Sequence, residues 1–422
     1  MEFTPLVVPP EKGFAGEPVE GGVCAALGFE ACGVHAGFRR DPSRNDLALV
    51  AAGSPVAAAG VFTRNLFCAA PVTVDREHLA AGGRARAVIV NSGIANAATG
   101  EPGLANAHRT AELLAARLGC RAEEVLVAST GVIGKHLDMG VMEAGVAMVC
   151  DGLGRAPEAN DLAAARGIMT TDTKVKRAAV RYADESGATY TVGGMCKGSG
   201  MISPNMATMI AVVTTDAPVA PAVLQTALRA AADASFNRVT VDSDTSTNDS
   251  CFLLASGAAG GPQIDAAEGA RYEAFLAALT AVCGSLAQKI AADGEGATKL
   301  VRVTVMGAAT QADADLAART VASSPLVKTA VAGHDANWGR IAAALGRSGA
   351  SFDQYGVDID ILGIPVCRAG LVVDFDEDEA LRRFEGPQVD IVCDLGAGDA
   401  SSTVWTCDLT HGYISINADY RS

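Results

Sequence analysis

The chain has 422 residues, 49% of them apolar and 19% charged, and a formal net charge of −15 at pH 7. That length holds two or three domains' worth of core and excludes a disordered chain. The acidic balance excludes nucleic-acid phosphate or anionic lipid as a partner, since both demand a basic face.

Eleven cysteines show no Cys-x-x-Cys pair and no clustered histidines, so neither a zinc site nor a disulfide framework is expected. No run of 18 apolar residues marks a membrane span, and Met1 to Pro10 carries no basic leader, so the expected compartment is the cytoplasm. Residues 1 to 22 begin with Pro5, Pro9 and Pro10 and read as a loose arm. Leu47 to Val50 and Val56 to Phe62, separated by Gly53-Ser-Pro55, read as a hairpin, and Arg86 to Val90 as a further strand. Leu104 to Leu118 has helical spacing and stops at Gly119. Val125 to Ala128 is a short strand that runs into the loop Ser129-Thr-Gly-Val-Ile-Gly134, whose small residues are able to aim backbone N–H groups at an oxygen. Helix is expected again at Ala163 to Ile168, and Asp184-Glu-Ser-Gly187 makes a hairpin between Ala178–Tyr182 and Ala188–Val192.

The midpoint of the chain is Lys197-Gly-Ser-Gly-Met-Ile-Ser-Pro-Asn-Met-Ala-Thr-Met-Ile210. Gly198, Gly200 and Pro204 constrain a loop, and Thr208 opens an apolar, β-branched run expected to be a strand buried on both faces. By residue type alone Thr208 is an ordinary strand residue. A chain-terminal threonine is different, because its α-amine, with a pKa of about 7.7 to 8.0, serves as base to its own hydroxyl. Cutting between Ala207 and Thr208 would create that amine.

Downstream, Pro221 starts a helix reaching about Ala234, Arg238 to Asp242 and Cys251 to Ala255 read as strands, and a long helix spans Ala266 to Ala292. Asp242 to Asp249 imitates a calcium loop but has Thr247 where glycine is needed and Leu253 where glutamate is needed, so no calcium is expected. Asp293-Gly-Glu-Gly296 would expose Glu295 on a tight turn. The final third alternates strand and helix, with a turn at Pro325 to Thr329, a helix start at Asn337 and a last strand at Tyr413 to Asn417.

Several ordered blocks change the reading of Thr208: Val90-Asn-Ser-Gly93, Ala128 to Gly134, Ile168-Met-Thr-Thr-Asp-Thr173, Lys197 to Met209, Phe236-Asn-Arg238, Asp244 to Asp249, Asp293 to Thr298, Asn337-Trp-Gly-Arg340 and Asn417-Ala-Asp-Tyr-Arg421. Together they resemble the self-cleaving ornithine acetyltransferase family of arginine biosynthesis, from about Gly33 to Ser422. The resemblance implies an α/β (α+β) fold, a four-layer α/β/β/α sandwich of the self-processing aminopeptidase type, with a smaller C-terminal lobe at about 300–400. It implies self-cleavage into residues 1–207 and 208–422, with Thr208 as nucleophile and Thr130 and Gly131 as oxyanion hole. Thr170 or Thr171, Lys197, Thr208, Glu295, Asn417 and Ser422 would bind substrate. The implied reaction moves acetyl from N-acetylornithine to glutamate without a metal or cofactor, acetyl-CoA being a further donor in some relatives. The implied assembly is a dimer of cleaved pairs. Asn91 to Gly100 departs from the family block at Ile94 and Ala98, which bears on acceptor range or on acetyl-CoA use. The competing readings are a self-processing hydrolase that uses the same Thr208 and an unprocessed amino-acid-binding protein in which Thr208 is core.

Overall fold

The computed structural model describes residues 16–203 and 209–419, which build two sheets with helices on their outer faces. The larger sheet contains nine strands: β1 (Gly16–Val19), β2 (Phe29–Val34), β3 (Leu47–Phe62), β4 (Arg84–Ile94), β5 (Val125–Val132), β6 (Lys176–Ala183), β7 (Thr189–Lys197), β8 (Ile210–Thr215) and β9 (Ser250–Ala255). Their spatial order is β1-β6-β7-β8-β9-β3-β4-β5, with β2 against β3. The pairs β8–β9 and β4–β5 are parallel.

Alternation along each strand sorts side chains into layers. In β8, Ile210 and Val212 face the inner cluster while Ala211 and Val213 face the outer one, so its first four residues are apolar on both faces. Three helices, α1 (Ala70–Ala80), α2 (Gly100–Leu118) and α3 (Met139–Gly152), cover the outer face of β3 to β5 through Leu49, Ile89, Leu114, Val127 and Val146. Next, α4 (Pro157–Gly167) sends Ala164 and Ala165 into the inner cluster, and α5 (Pro221–Ala234) and α6 (Ala270–Ala292) cover the outer face of β7 to β9. The inner faces of the two halves meet in one cluster that joins Val88, Val90 and Leu126 to Met195, Val212 and Phe252. The layering is therefore helix, sheet, sheet, helix.

A contact across the sandwich shows that the sheet is folded over. Asn248, just before β9, donates Nδ2 to the Ser129 carbonyl on β5 at 2.8 Å. Along the ladder these points belong to opposite ends of β3, because Ser250 pairs with Phe62 whereas Ser129 pairs with Asn91, which pairs with Leu47. Fifteen residue steps (62 − 47) separate those ends, roughly 50 Å of extended strand. Only folding the two halves onto each other brings them into contact.

The second sheet has six strands, β10 (Leu300–Ala308), β11 (Asp358–Ile361), β12 (Ile364–Arg368), β13 (Leu371–Val372), β14 (Gln388–Asp394) and β15 (Ala400–Cys407). With α7 (Gln311–Ala322), α8 (Pro325–Ala332), α9 (Trp338–Gly346) and α10 (Glu377–Arg383) it encloses its own core around Val303, Val321, Ile359 and Ile391. The chain then returns to the first sheet as α11 (His411–Asp419).

Several local expectations are corrected. Leu47 to Phe62 is not a hairpin but one strand with a bulge between Ala51 and Val56, since each half finds its own partner along one edge, β2 and then β9. Gly16 to Val19 is a strand on β6 and not arm, while residues 1–15 lie outside the described ones. Thr130 and Gly131 belong to β5, not to a loop beyond it. Pro325 to Ala332 is a helix; Arg238 to Asp242 is not a strand but follows the 3₁₀ turn Phe236–Arg238, with Val239 in an isolated bridge to Trp405; and Tyr413 to Asn417 is helical, with Asn417 bonded to Tyr413 O four residues back. Helix α6 is long and apolar enough to cross a membrane, yet Phe275, Leu279, Val282, Leu286 and Ile290 are buried, the helix packing on β6, β7 and α5.

Candidate active site

The ends of β5 and β7 and the turn before β9 converge on a cavity of about 160 Å³. Thr130, Gly131, Thr170, Thr171, Lys197, Glu295 and Asn417 all line it, which gathers every expected site residue that falls among the described ones. Ala207, Thr208 and Ser422 lie outside the described residues. Met209, which follows Thr208 in the chain, is buried, and its carbonyl accepts from Ser250 N at 2.9 Å.

At the β5 end the backbone demands glycine twice. Gly131 has φ +133°, and a Cβ there would stand 2.3 Å from the carbonyl carbon of Gly93 on β4. Beside it Lys197 Nζ donates to Thr130 Oγ1 at 3.4 Å. A hydroxyl that accepts from an ammonium keeps its own hydrogen free to donate into the cavity.

Lys197 is 8% exposed, and burial pushes its ammonium below the ordinary lysine value, with Asp172 pulling the other way. Beneath it runs a charged network. Lys176 Nζ reaches Asp172 Oδ1 at 2.7 Å and Asp293 Oδ2 at 2.5 Å, all three being buried. Burial opposes ionisation of Asp172, but Lys176 and Lys197 outweigh it and hold the carboxyl far below the usual range. Asp172 also accepts from Thr170 N at 2.9 Å and Gly198 N at 2.7 Å, so one carboxylate positions the hydroxyl turn and the glycine loop together. Asp293, at the C-terminus of α6, accepts from the backbone of Thr173 and Lys174 and from the Thr173 hydroxyl.

Glu295, also lining the cavity, is held from two sides. Its N–H donates to Ser199 O at 3.0 Å, and its Oε2 accepts from Asn417 Nδ2 at 2.7 Å. Helix α11 is tied down by that bond, by Thr410 Oγ1 donating to Gly296 O at 2.6 Å and by Tyr413 OH donating to Asp242 Oδ2 at 3.4 Å. Asp242 in turn accepts from Met201 N at 2.6 Å and Ile202 N at 2.8 Å, fixing the loop that leads toward the Ala207–Thr208 bond. A carboxylate, an amide and an ammonium around one small cavity suit a zwitterionic amino acid.

Sequence reasoning missed Lys176, a lysine on a strand whose burial only the packing reveals, and the roles of Asp172 and Asp293, although both stand inside motif blocks. Asn248 had a signal in the Asp244 to Asp249 block but no readable task. It donates to Ala95 O at 2.6 Å as well as to Ser129 O, and so clamps the β5 end. Both Thr170 and Thr171 line the cavity, whereas Ile94 packs against the α2–α3 cluster and Ala98 is exposed, so neither departure from the family block touches it. Among the described residues no cluster of three or more histidine, cysteine or acidic side chains is placed to hold a metal.

A helix–sheet–sheet–helix sandwich with this cavity defines a protein of the four-layer α/β/β/α fold. The ArgJ family model matches residues 30–422. "Arginine biosynthesis bifunctional protein ArgJ" of Symbiobacterium thermophilum is 51% identical over 407 residues, covering 96% of this chain and 100% of that one. The protein of the same name from Geobacillus kaustophilus is 46% identical over 404 residues, covering 96% and 97%. Among solved structures, ArgJ of Bacillus halodurans is 43% identical, with a TM-score of 0.48 over 49% of this chain and 97% of that one. Ornithine acetyltransferase of Mycobacterium tuberculosis, complexed with ornithine, is 45% identical, with a TM-score of 0.42 over 46% and 100%. The chain belongs to the ArgJ family.

Proposed function

We propose that this protein transfers acetyl from N-acetylornithine to glutamate in arginine biosynthesis, through an acetyl ester on Thr208. The observation that carries the reading is the single cavity lined by Thr130, Gly131, Thr170, Thr171, Lys197, Glu295 and Asn417, drawn from five separate stretches of the chain.

In the precursor, Thr208 Oγ attacks the Ala207 carbonyl, the acyl group moves from nitrogen to oxygen, and water hydrolyses the ester. This leaves pieces of 207 and 215 residues (422 − 207), with the freed Thr208 amine as base. The Thr208 hydroxyl then attacks the acetyl carbonyl of N-acetylornithine. Its proton passes through the amine to the departing ornithine nitrogen, and the oxyanion takes hydrogen bonds from the Thr130 hydroxyl and the Gly131 N–H. Lys197 meets the substrate carboxylate, and Glu295, steadied by Asn417, meets the amino end of ornithine. Glutamate's amine attacks the acetyl ester, regenerating Thr208. Acetyl-CoA is a second acetyl source, the assembly is a dimer of cleaved pairs, and the compartment is the cytoplasm.

Denaturing mass analysis tests the reading. Freshly purified protein should give two species, each roughly half of 42.8 kDa, the second beginning at Thr208. Incubated with N-acetylornithine alone, the C-terminal piece should gain one acetyl group and lose it when glutamate is added. Thr208→Ala should remain a single chain, and a single full-length wild-type species would sink the mechanism.

A further inference from the structure

A second cavity of about 670 Å³ lies across the loops that wall the first. Ser203 and Thr245 line it, whereas Met201 and Ser246 of the same two loops line the smaller one. The Thr245 hydroxyl donates to Ser203 O at 3.0 Å and ties the loops together between the two cavities. Three arginines, Arg64, Arg238 and Arg319, face the larger cavity against two carboxylates, Asp233 and Asp315. In a chain of net charge −15 such an inward excess of cation runs against the surrounding field. Asn237 and Arg238, a motif the acetyl-transfer reaction leaves unused, form part of its wall.

Protein groups satisfy these guanidiniums only in part. Arg238 donates Nε to Asp233 O at 3.2 Å and Nη1 to Asp315 Oδ1 at 2.7 Å and to Ser402 Oγ. Arg319 donates Nη2 to Asn237 O. Arg64 is exposed and enters no ion pair among the described residues. Each guanidinium has five donors in a planar fork, so several remain for oxygens that enter the cavity, and that fork matches phosphate bidentately. The hydroxyls of Ser203 and Ser402, which also line the cavity, add neutral donors.

We infer that this cavity binds the phosphate groups of a nucleotide-sized ligand. Its volume suits such a molecule, which the smaller cavity is unable to admit. The chemistry has two sources: the phosphorylated end of a coenzyme thioester, whose arm would reach the acyl-transfer cavity across the shared loops, or a free nucleotide. The first source rests on the acetyl-transfer reading above.

The test is calorimetric titration of the full-length processed protein with pyrophosphate, ADP, coenzyme A and phosphate-free pantetheine, for wild type, Arg64→Ala and Arg319→Gln. Acetylornithine–glutamate exchange is measured on the same preparations. The phosphate-bearing probes should bind and pantetheine should not, each substitution should weaken binding by at least about tenfold, and exchange should persist. Coenzyme A binding tighter than ADP, with acetyl-CoA-dependent acetylation lost in the variants, supports the thioester source; equal affinities support the free nucleotide. No binding by any phosphate probe, or binding undiminished in both variants, overturns the site. Exchange that is absent while phosphate binding persists removes the acetyl-transfer reading and leaves the site standing.

Discussion

Gly200→Ala presses on Glu295 at the cavity wall. The backbone at Gly200 needs no left-handed conformation, so the substitution acts through space alone. A Cβ there would stand 2.4 Å from the Glu295 carboxyl carbon, against the 3.4 Å at which ordinary contact begins, so the carboxylate must retreat by about 1 Å (3.4 − 2.4). A retreat of that size directed away from Asn417 takes their 2.7 Å bond beyond hydrogen-bond range. If Glu295 meets the amino end of ornithine, a hydrogen bond to a charged group worth about 1.5–3 kcal/mol is lost. That corresponds to a fall of about 10- to 150-fold in kcat/KM for N-acetylornithine. The loss should lie mostly in KM, because Glu295 does not touch the acetyl carbon in the proposed pose. Steady-state kinetics on protein first shown by denaturing mass to be fully processed would measure it. A kcat/KM within twofold of wild type in processed protein would refute the placement of Glu295 against substrate.

Three further outcomes are expected. Gly131→Ala, strained by φ +133° and clashing with Gly93, should lower the single-turnover acetylation rate by about 10²–10³, and a change under threefold would remove Gly131 from the oxyanion hole. Asp172→Asn breaks a buried ion pair and should cost about 3 kcal/mol at pH 7 in urea unfolding. Because the folded carboxyl is depressed, its stabilising effect is present above the ordinary value of about 3.9 and is lost as pH falls below it. Wild type should therefore lose its advantage over the variant as pH falls from about 4, and a constant difference across that range would contradict the assignment. Asn248→Ala leaves the buried carbonyls of Ala95 and Ser129 without their donor, at about 1–3 kcal/mol. Amide exchange at residues 125–132 should rise, and unchanged protection there would dismiss Asn248 as the clamp.

Local chemistry alone determined a good deal of this protein. The apolar runs of β8 and β9, the helix from Pro221 to Ala234 with its first-turn proline, and the stop of α2 at Gly119, which has φ +69°, follow from burial and backbone rules that act within a few residues. The site residues were legible because the motif blocks carry them, not because spacing placed them together. Tertiary structure decided the rest. The folding of β3 about its bulge was unreadable, since Gly53-Ser-Pro55 satisfies a turn as well as a bulge and only the partners β2 and β9 distinguish them. Tyr413 to Asn417 took helix over strand because α11 is placed by hydrogen bonds to Gly296, Asp242 and Glu295, all distant in sequence. Lys176 became a buried network charge only once Asp172 and Asp293 were brought to it from either side, and no periodicity encodes a partner 117 residues away. Burial makes such long-range pairings decisive, because a charge or carbonyl removed from water must find its partner wherever the fold supplies one.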